Sequence, residues 1–434
     1  MKKILFYIQS SPGNTALANE TYMPPLGLLS IASHLRMNGY DVEVTDLSMD
    51  YQSTEEQNQR IRQSDPLFIA FSAYTQTVDE ILNMCAYLKK KFPEIPLAIG
   101  GAHPTVDPEY CRRKRCVDFL LLGDGEETLL DLAAAIETDE RLISFDEIPG
   151  LVFKRNGKFS EGLPKQLIES MDLLPVISRD FIPQSLSSRI PTVYSSRGCP
   201  GRCIYCAASS MSGRHYRVRD IENVFLESLY MVDHCEDYSE LFYCDDTFTV
   251  FRKRLERFVE LCDACGTKFA WRCESRVDAM YHSRAILPDL RRAGCRRIQY
   301  GIESGNQEVL IRIRKGLDLQ KAGVVIRATV DAKIRAALSF MFGHFCDTID
   351  TMNDTIQMIL QMKERYGPMV EVAHGLNTPF PGTYQYEHRD ELGIHMISDQ
   401  YSDLTMSRPV IYTDAFSAQD LREFDRRMGA VYQS

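Results

Sequence analysis

Cys199, Cys203 and Cys206 stand within the stretch YSSRGCPGRCIYC, residues 194–206, at the spacing C-x3-C-x2-C. Thiolates are the ligands of structural zinc and of iron–sulfur clusters, and each of those metals normally completes four ligands. Three thiolates this close suit three irons of a [4Fe–4S] cube, with the fourth iron open to a substrate or cofactor bearing nitrogen and oxygen donors. A zinc site is the alternative. It needs a distant fourth ligand, and His215, nine residues beyond Cys206, is the nearest candidate. Gly198 and Gly201 allow the loop to curl tightly around a bulky inorganic core.

A loop of this kind needs a frame, and the pattern of the chain supplies two. The first 140 residues alternate strand and helix. Strands are expected at Lys3 to Ile8, Asp41 to Asp46, Leu67 to Ser72, Leu97 to Gly100 and Val117 to Leu122, all short and apolar as in a sheet buried on both faces. Leu28, Ile31, Ala32 and Leu35 form one helical stripe, and Val78, Ile81, Leu82, Cys85 and Leu88 another. Such repetition predicts a parallel, doubly wound sheet whose ligand crevice lies beyond the carboxyl ends of its strands. The loops there are small or polar: Ser72-Ala73-Tyr74-Thr75, Gly100-Gly101-Ala102-His103-Pro104-Thr105 and Gly123-Asp124-Gly125-Glu126. G-x-G-x-x-G is absent, which argues against a nicotinamide or flavin dinucleotide.

Residues 141–190 lose this periodicity and read as a linker, with a hairpin turning at Asn156-Gly157. A second β-α series follows over 191–376. Its strands are expected at Thr192 to Ser195, Glu240 to Cys244, Lys268 to Arg272, Arg297 to Ile302, Ala336 to Phe342 and Val370 to Ala373. Leu255, Phe258, Val259 and Cys262 share one helical face, and Met352, Ile356, Ile359 and Leu360 another. Six such units predict a closed or partly closed parallel barrel with its site at the carboxyl-end loops, where the three cysteines fall. Residues 377–434 read as a short tail.

The formal net charge of −10 argues against broad binding to nucleic acid phosphates. Apolar runs are too short for a membrane span, and the stretch after Met1-Lys2-Lys3 is too short for a signal peptide, so a cytoplasmic protein is expected. Thirteen cysteines fit reduced thiols and metal ligation better than a disulfide framework. Of these, Cys262 and Cys265 invite a second cluster, but Cys262 continues an apolar face and packing is its expected role.

The cysteine motif, with Tyr205 before its last member, resembles the signature of the radical S-adenosylmethionine superfamily. PPLGLLSIASHLRMNGYDVEVTD, IGGAHPT, LGDGEET, YCDDTFT, QYGIESGNQEVL and TPFPGT resemble the members that carry an N-terminal cobalamin-binding domain. The resemblance implies an α/β protein: a doubly wound, Rossmann-like cobalamin-binding domain, then a partial (β/α)6 radical S-adenosylmethionine barrel and a short C-terminal segment. It implies three cofactors: a [4Fe–4S] cluster on Cys199, Cys203 and Cys206, S-adenosylmethionine and cobalamin. Tyr205 would lie near the adenine, Asp245 and Asp246 near the amino group, Glu274 and Arg276 near the carboxylate and ribose, and Glu303 would bind the ribose or order the site. Of these, Arg276 suits a carboxylate best, through two parallel hydrogen bonds. Ser72, Thr75, Gly100, Gly101, Pro104, Thr105, Gly123 and Glu126 would take the corrin and its nucleotide tail. D-x-H-x-x-G is absent, so the lower cobalt face would lack a histidine, and His103 would fill a loop position. GHFCDT, residues 343–348, stands where relatives show a Gly-x-Pro-Gly-Glu-Thr turn, and it would shape the substrate pocket.

The implied reaction is C-methylation. A 5′-deoxyadenosyl radical removes a hydrogen from an unactivated carbon of a small molecule, peptide or protein, and methyl follows from methylcobalamin. A ferredoxin- or flavodoxin-type donor would supply single electrons, with no membrane or nucleic acid partner. A rearrangement, cyclisation or oxidation with the same cofactors is the nearest alternative, and a non-catalytic cobalamin or cluster sensor the alternative of another class.

Overall fold

The structure is a computed structural model that describes residues 2–8, 24–47, 53–182, 191–235, 239–266 and 269–433. The end of the expected linker and Lys268 lie outside these residues. The chain forms two compact units, Met1–Ser187 and Ser188–Ser434.

The first unit is built on a seven-stranded sheet: β1 (Lys3–Ile8), β2 (Asp41–Asp46), β3 (Phe68–Ser72), β4 (Leu97–Gly100), β5 (Phe119–Leu121), β6 (Leu151–Arg155) and β7 (Lys158–Glu161), in the order β2-β1-β3-β4-β5-β6-β7. The first five pair in parallel, as the doubly wound pattern requires. The helix Val78–Lys91 buries all five residues of its expected stripe. Its first turn holds Asp79 and Glu80 and its last turn Lys89 to Lys91, each sign at the helix end that favours it. On Leu26–Met37, Leu28, Ala32 and Leu35 are buried, and Ile31 packs half-buried against the same core.

The hairpin expected within a linker is part of this sheet. β6 pairs antiparallel with β5, and β7 with β6. Asn156 and Gly157 both take positive φ, +53° and +76°, the geometry of a two-residue turn matched to strand twist. Leu151, Val152 and Phe153 are buried, so apolar burial ties these strands to the sheet.

The second unit carries six parallel strands in sequential order: β8 (Thr192–Val193), β11 (Leu241–Tyr243), β12 (Trp271–Ser275), β13 (Cys295–Glu303), β14 (Arg335–Phe342) and β15 (Val370–Leu376). A small ribbon, β9 (Ser196–Arg197) with β10 (Arg217–Val218), folds back beside the cysteine loop. Among the described residues β8 and β15 do not pair, so the barrel is partial. Tyr243, Phe248, Phe258 and Trp271 interlock in its wall, with ring centroids 4.6–6.1 Å apart, and Trp271 Nε1 donates to the Ala293 carbonyl at 2.8 Å. Stacked and edge-on pairs like these add specific geometry to a large buried area.

One expectation needs correction. Leu360 is exposed, although Met352, Ile356 and Ile359 on its helix, Ile349–Tyr366, are buried. The short tail carries structure of its own. It holds the short ribbon β16 (His395–Met396) with β17 (Ile411–Tyr412), then a helix, Ala418–Gln433, with Leu421, Phe424 and Met428 buried in the barrel core.

Candidate active site

The cysteine loop has its shape because two positions lack a side chain. Gly198 has φ +86°, and a Cβ there would stand 2.1 Å from the His215 carbonyl oxygen. A Cβ on Gly201 would stand 2.6 Å from Arg276 Nη1 and 3.3 Å from Cys199 Sγ. Between the last two cysteines, the Ile204 N–H donates to the Ile313 carbonyl at 3.1 Å, and the Ile204 carbonyl accepts from the Gln385 N–H at 3.0 Å. Gln385 is bonded to Asn377, which donates to the Gly343 carbonyl at 3.1 Å. A buried amide brace thus ties the loop to the ends of β14 and β15.

All three thiols are half-buried. Burial pushes the Cys206 thiol up to about 11, and Cys203 and Cys199 close by add to the shift. Burial raises the Cys199 thiol too, opposed by the Gly201 N–H, which donates to its Sγ at 3.4 Å, and by Arg276. Binding of metal would displace these protons. Among the described residues no group of three His, Cys, Asp or Glu side chains converges on a single metal ion, and His215 is exposed. Three sulfurs on one loop, which Gly198 and Gly201 leave room to curl, fit three irons of a cluster.

The carboxyl ends of β11 to β14 bring the other expected residues to this loop. Asp246 is solvent-accessible, yet burial and then Asp245 raise its carboxyl above the usual range. Glu274, at the end of β12, is pushed up to about 7, by burial first and then by Asp246, and accepts from Gln299 Nε2 at 3.3 Å. Glu303 ends β13 at a register shift, with φ +69°. A non-glycine residue held there stores backbone strain, which concentrates at functional sites. Its carboxylate accepts from Lys315 Nζ at 2.7 Å, both side chains being buried. Tyr205 lies with its ring 5.4 Å from His344.

Two residues differ from expectation. Asp245 is buried and accepts from the Ser195 N–H at 2.6 Å, the Ser196 N–H at 3.1 Å and the Ser195 hydroxyl, so it secures the first strand's loop. Arg276 does not offer a free fork to a carboxylate. Its Nε and Nη2 donate to Asp278 at 3.0 and 2.9 Å, Nη2 also to the Lys315 carbonyl at 3.1 Å, and Nη1 lies 3.9 Å from Cys203 Sγ. Lys315 and Asp278 went unnoticed in the sequence because no local motif marks them. His344, within the atypical turn, is fully buried, and among the described residues neither ring nitrogen has a hydrogen-bond partner.

In the first unit the loops after β3, β4 and β5 are laced together. The Ala73 N–H donates to the Gly100 carbonyl at 2.9 Å, Thr105 Oγ1 to the Gly101 carbonyl at 2.8 Å, and the Gly123 N–H to Thr105 Oγ1 at 3.0 Å. Gly101, at φ +100°, packs so close that a Cβ would lie 3.0 Å from Ala73 backbone atoms and from Ser72 Oγ. Ser72, Gly100, Gly101, Thr105 and Gly123 remain partly accessible along this edge. Thr75, Pro104 and Glu126 are buried and support the edge from behind: Thr75 bonds His103 Nδ1 at 3.2 Å, and Glu126 accepts from Ser30 Oγ at 2.6 Å. His103 is itself fully buried, its pKa pushed down to about 4 chiefly by burial.

Known proteins agree with this architecture. The family model described as B12 binding domain matches residues 16–133, and the Radical SAM superfamily model matches residues 193–359. A protein named uncharacterized methyltransferase from Pyrococcus horikoshii is 26% identical over 430 residues, spanning 98% of this chain and 91% of that one. The anaerobic magnesium-protoporphyrin IX monomethyl ester cyclase of Synechocystis is 28% identical over 302 residues, 68% of this chain and 59% of the cyclase. The solved structure of the radical S-adenosylmethionine methyltransferase TsrM from Kitasatospora setae, with cobalamin and a [4Fe–4S] cluster bound, shares the fold at TM-score 0.75 and 16% identity, over 92% of this chain and 78% of that one. With a B12-binding domain followed by a radical S-adenosylmethionine domain, the chain belongs to the cobalamin-binding radical S-adenosylmethionine enzymes, whose cofactors are cobalamin, S-adenosylmethionine and a [4Fe–4S] cluster.

Proposed function

We propose that the protein methylates an unactivated carbon of a small molecule, peptide or protein. The observation that carries this reading is the relative named a methyltransferase, which matches along nearly the whole of both chains. The cofactors would supply a hydrogen-abstracting radical and a transferable methyl group, chemistry that acid–base side chains cannot reach.

The chain's own residues hold and orient. Cys199, Cys203 and Cys206 would bind three irons and leave one for S-adenosylmethionine. Asp246 would face its ammonium group, Glu274 and Glu303, the latter fixed by Lys315, its ribose, and Tyr205 its base. Ser72, Gly100, Gly101, Thr105 and Gly123 would form the edge on which the corrin docks. A small one-electron carrier of ferredoxin or flavodoxin type would reduce the cluster. A second reading, ring formation with the same cofactors, is favoured by the cyclase relative.

The test uses full-length protein reconstituted with iron, sulfide and cobalamin, given S-adenosylmethionine labelled in its methyl group, a strong reductant and metabolite or peptide fractions. Methylation predicts 5′-deoxyadenosine, S-adenosylhomocysteine and label in a product. 5′-Deoxyadenosine with an unlabelled product would replace it with the cyclase-type reading, and a reaction giving neither 5′-deoxyadenosine nor labelled product would leave the sensor reading.

A further inference from the structure

Arg276 is expected near a carboxylate, but its guanidinium is already committed. Two of its nitrogens hold Asp278 and the Lys315 carbonyl, and the remaining one, Nη1, lies 3.9 Å from Cys203 Sγ. Gly201 makes that approach possible, since a Cβ there would stand 2.6 Å from Nη1. The Arg276 N–H also donates to the buried Thr247 hydroxyl at 3.3 Å, which fixes the backbone beneath. The pair is asymmetric in water: the Arg276 side chain is 13% exposed and that of Asp278 48%. Solvent screens the carboxylate more than the guanidinium, so net positive charge reaches the sulfur.

We propose that Arg276 is a positioning residue for the cluster's added electron: its Nη1 places positive charge on the Cys203 sulfur and favours the reduced cluster, while Asp278 moderates that charge. The inference rests on the cofactor set given above. One electron from a low-potential donor converts the oxidised cluster to the reduced one, adding one negative charge to the iron–sulfur core, and no bond to Arg276 forms or breaks. Hydrogen bonds to sulfur and nearby charge are established means of setting cluster potentials.

The test is a redox titration of the reconstituted full chain, without S-adenosylmethionine, followed by the electron paramagnetic resonance signal of the reduced cluster. Arg276→Gln is expected to lower the reduced-to-oxidised ratio at fixed potential about tenfold, equal to a 59 mV drop for one electron. Arg276→Lys should restore most of it. Asp278→Asn should shift the ratio the opposite way, which a merely structural role would not produce. Equal potentials in all variants, or shifts of the same sign for Arg276→Gln and Asp278→Asn, would overturn the proposal. If Arg276→Gln takes up no cluster, Asp278→Asn decides alone: a raised potential supports the proposal, and an unchanged or lowered one overturns it. A parent chain that takes up no cluster would refute the cofactor reading itself, and this proposal with it.

Discussion

Replacing Gly198 by alanine tests how the cysteine loop is held. Two separate effects oppose the new methyl group. A left-handed backbone, here φ +86°, costs an L-residue about 1–2 kcal/mol. The Cβ would also stand 2.1 Å from the His215 carbonyl oxygen, where real contacts stay beyond 3.0 Å, so the β9–β10 ribbon must move or the loop must open. Gly157 separates the two effects. It has φ +76° with nothing within 4 Å of its would-be Cβ, so Gly157→Ala carries the backbone strain alone. Gly157→Ala is therefore expected to lose about 1 kcal/mol, and Gly198→Ala about 3 kcal/mol or more, with the excess falling on the residue before Cys199. Chemical denaturation of the cofactor-free protein reads the stabilities, and iron and sulfide content after anaerobic reconstitution reads the loop. Gly157→Ala should load as the parent does, and Gly198→Ala should load poorly. If the two variants match in stability and in iron content, the loop does not depend on that close approach.

Two further outcomes follow from buried polar groups. The Glu274 carboxyl is pushed from 4.5 to about 7 by burial, so in the cofactor-free protein the folded state binds its proton more tightly than the unfolded state. That contribution to stability is complete below pH 4.5 and is lost as pH rises to 7, and the full shift, discounted for partial exposure, comes to about 1–2 kcal/mol. Glu274→Gln should remove that slope, and urea unfolding of both proteins at pH 4.5, 6 and 7.5 checks it; parallel profiles would contradict the assignment. His344→Leu removes two buried nitrogens that lack partners among the described residues and should raise the stability of the cofactor-free protein by about 1 kcal/mol, seen as a higher melting temperature.

Much of the frame could be read from the chain because it is local. β1 and β4 were marked by short apolar runs, and the helix Val78–Lys91 by an apolar stripe that all turns inward. The helix Thr54–Ser64 escaped because only Asn58 and Ile61 are buried on it, leaving almost no stripe to see, although its Ser53–Glu56 capping box is a usable signal. The hairpin of β6 and β7 was recognised, but its partner β5 was not, since strand pairing is a non-local choice. The thiols were legible for the opposite reason: chemistry compressed three ligands into eight residues. Their surroundings were not. Arg276 meets Lys315, 39 residues on, only because the end of β12 and the turn after the helix Gln307–Arg312 come together, and Asp278 takes the guanidinium that a carboxylate ligand was expected to hold. Thr75 and Glu126 sit on the predicted edge, yet burial turns them into its support.

The central claim is that three thiolates hold a four-iron cluster and leave one iron free for S-adenosylmethionine. Mössbauer spectroscopy of protein reconstituted with 57Fe, before and after S-adenosylmethionine is added, tests it most directly. One iron site in four should change its isomer shift while the other three do not, and alanine at Cys199, Cys203 and Cys206 together should abolish the cluster. Four sites unaffected by S-adenosylmethionine, or a cluster that survives loss of the three cysteines, would contradict the account.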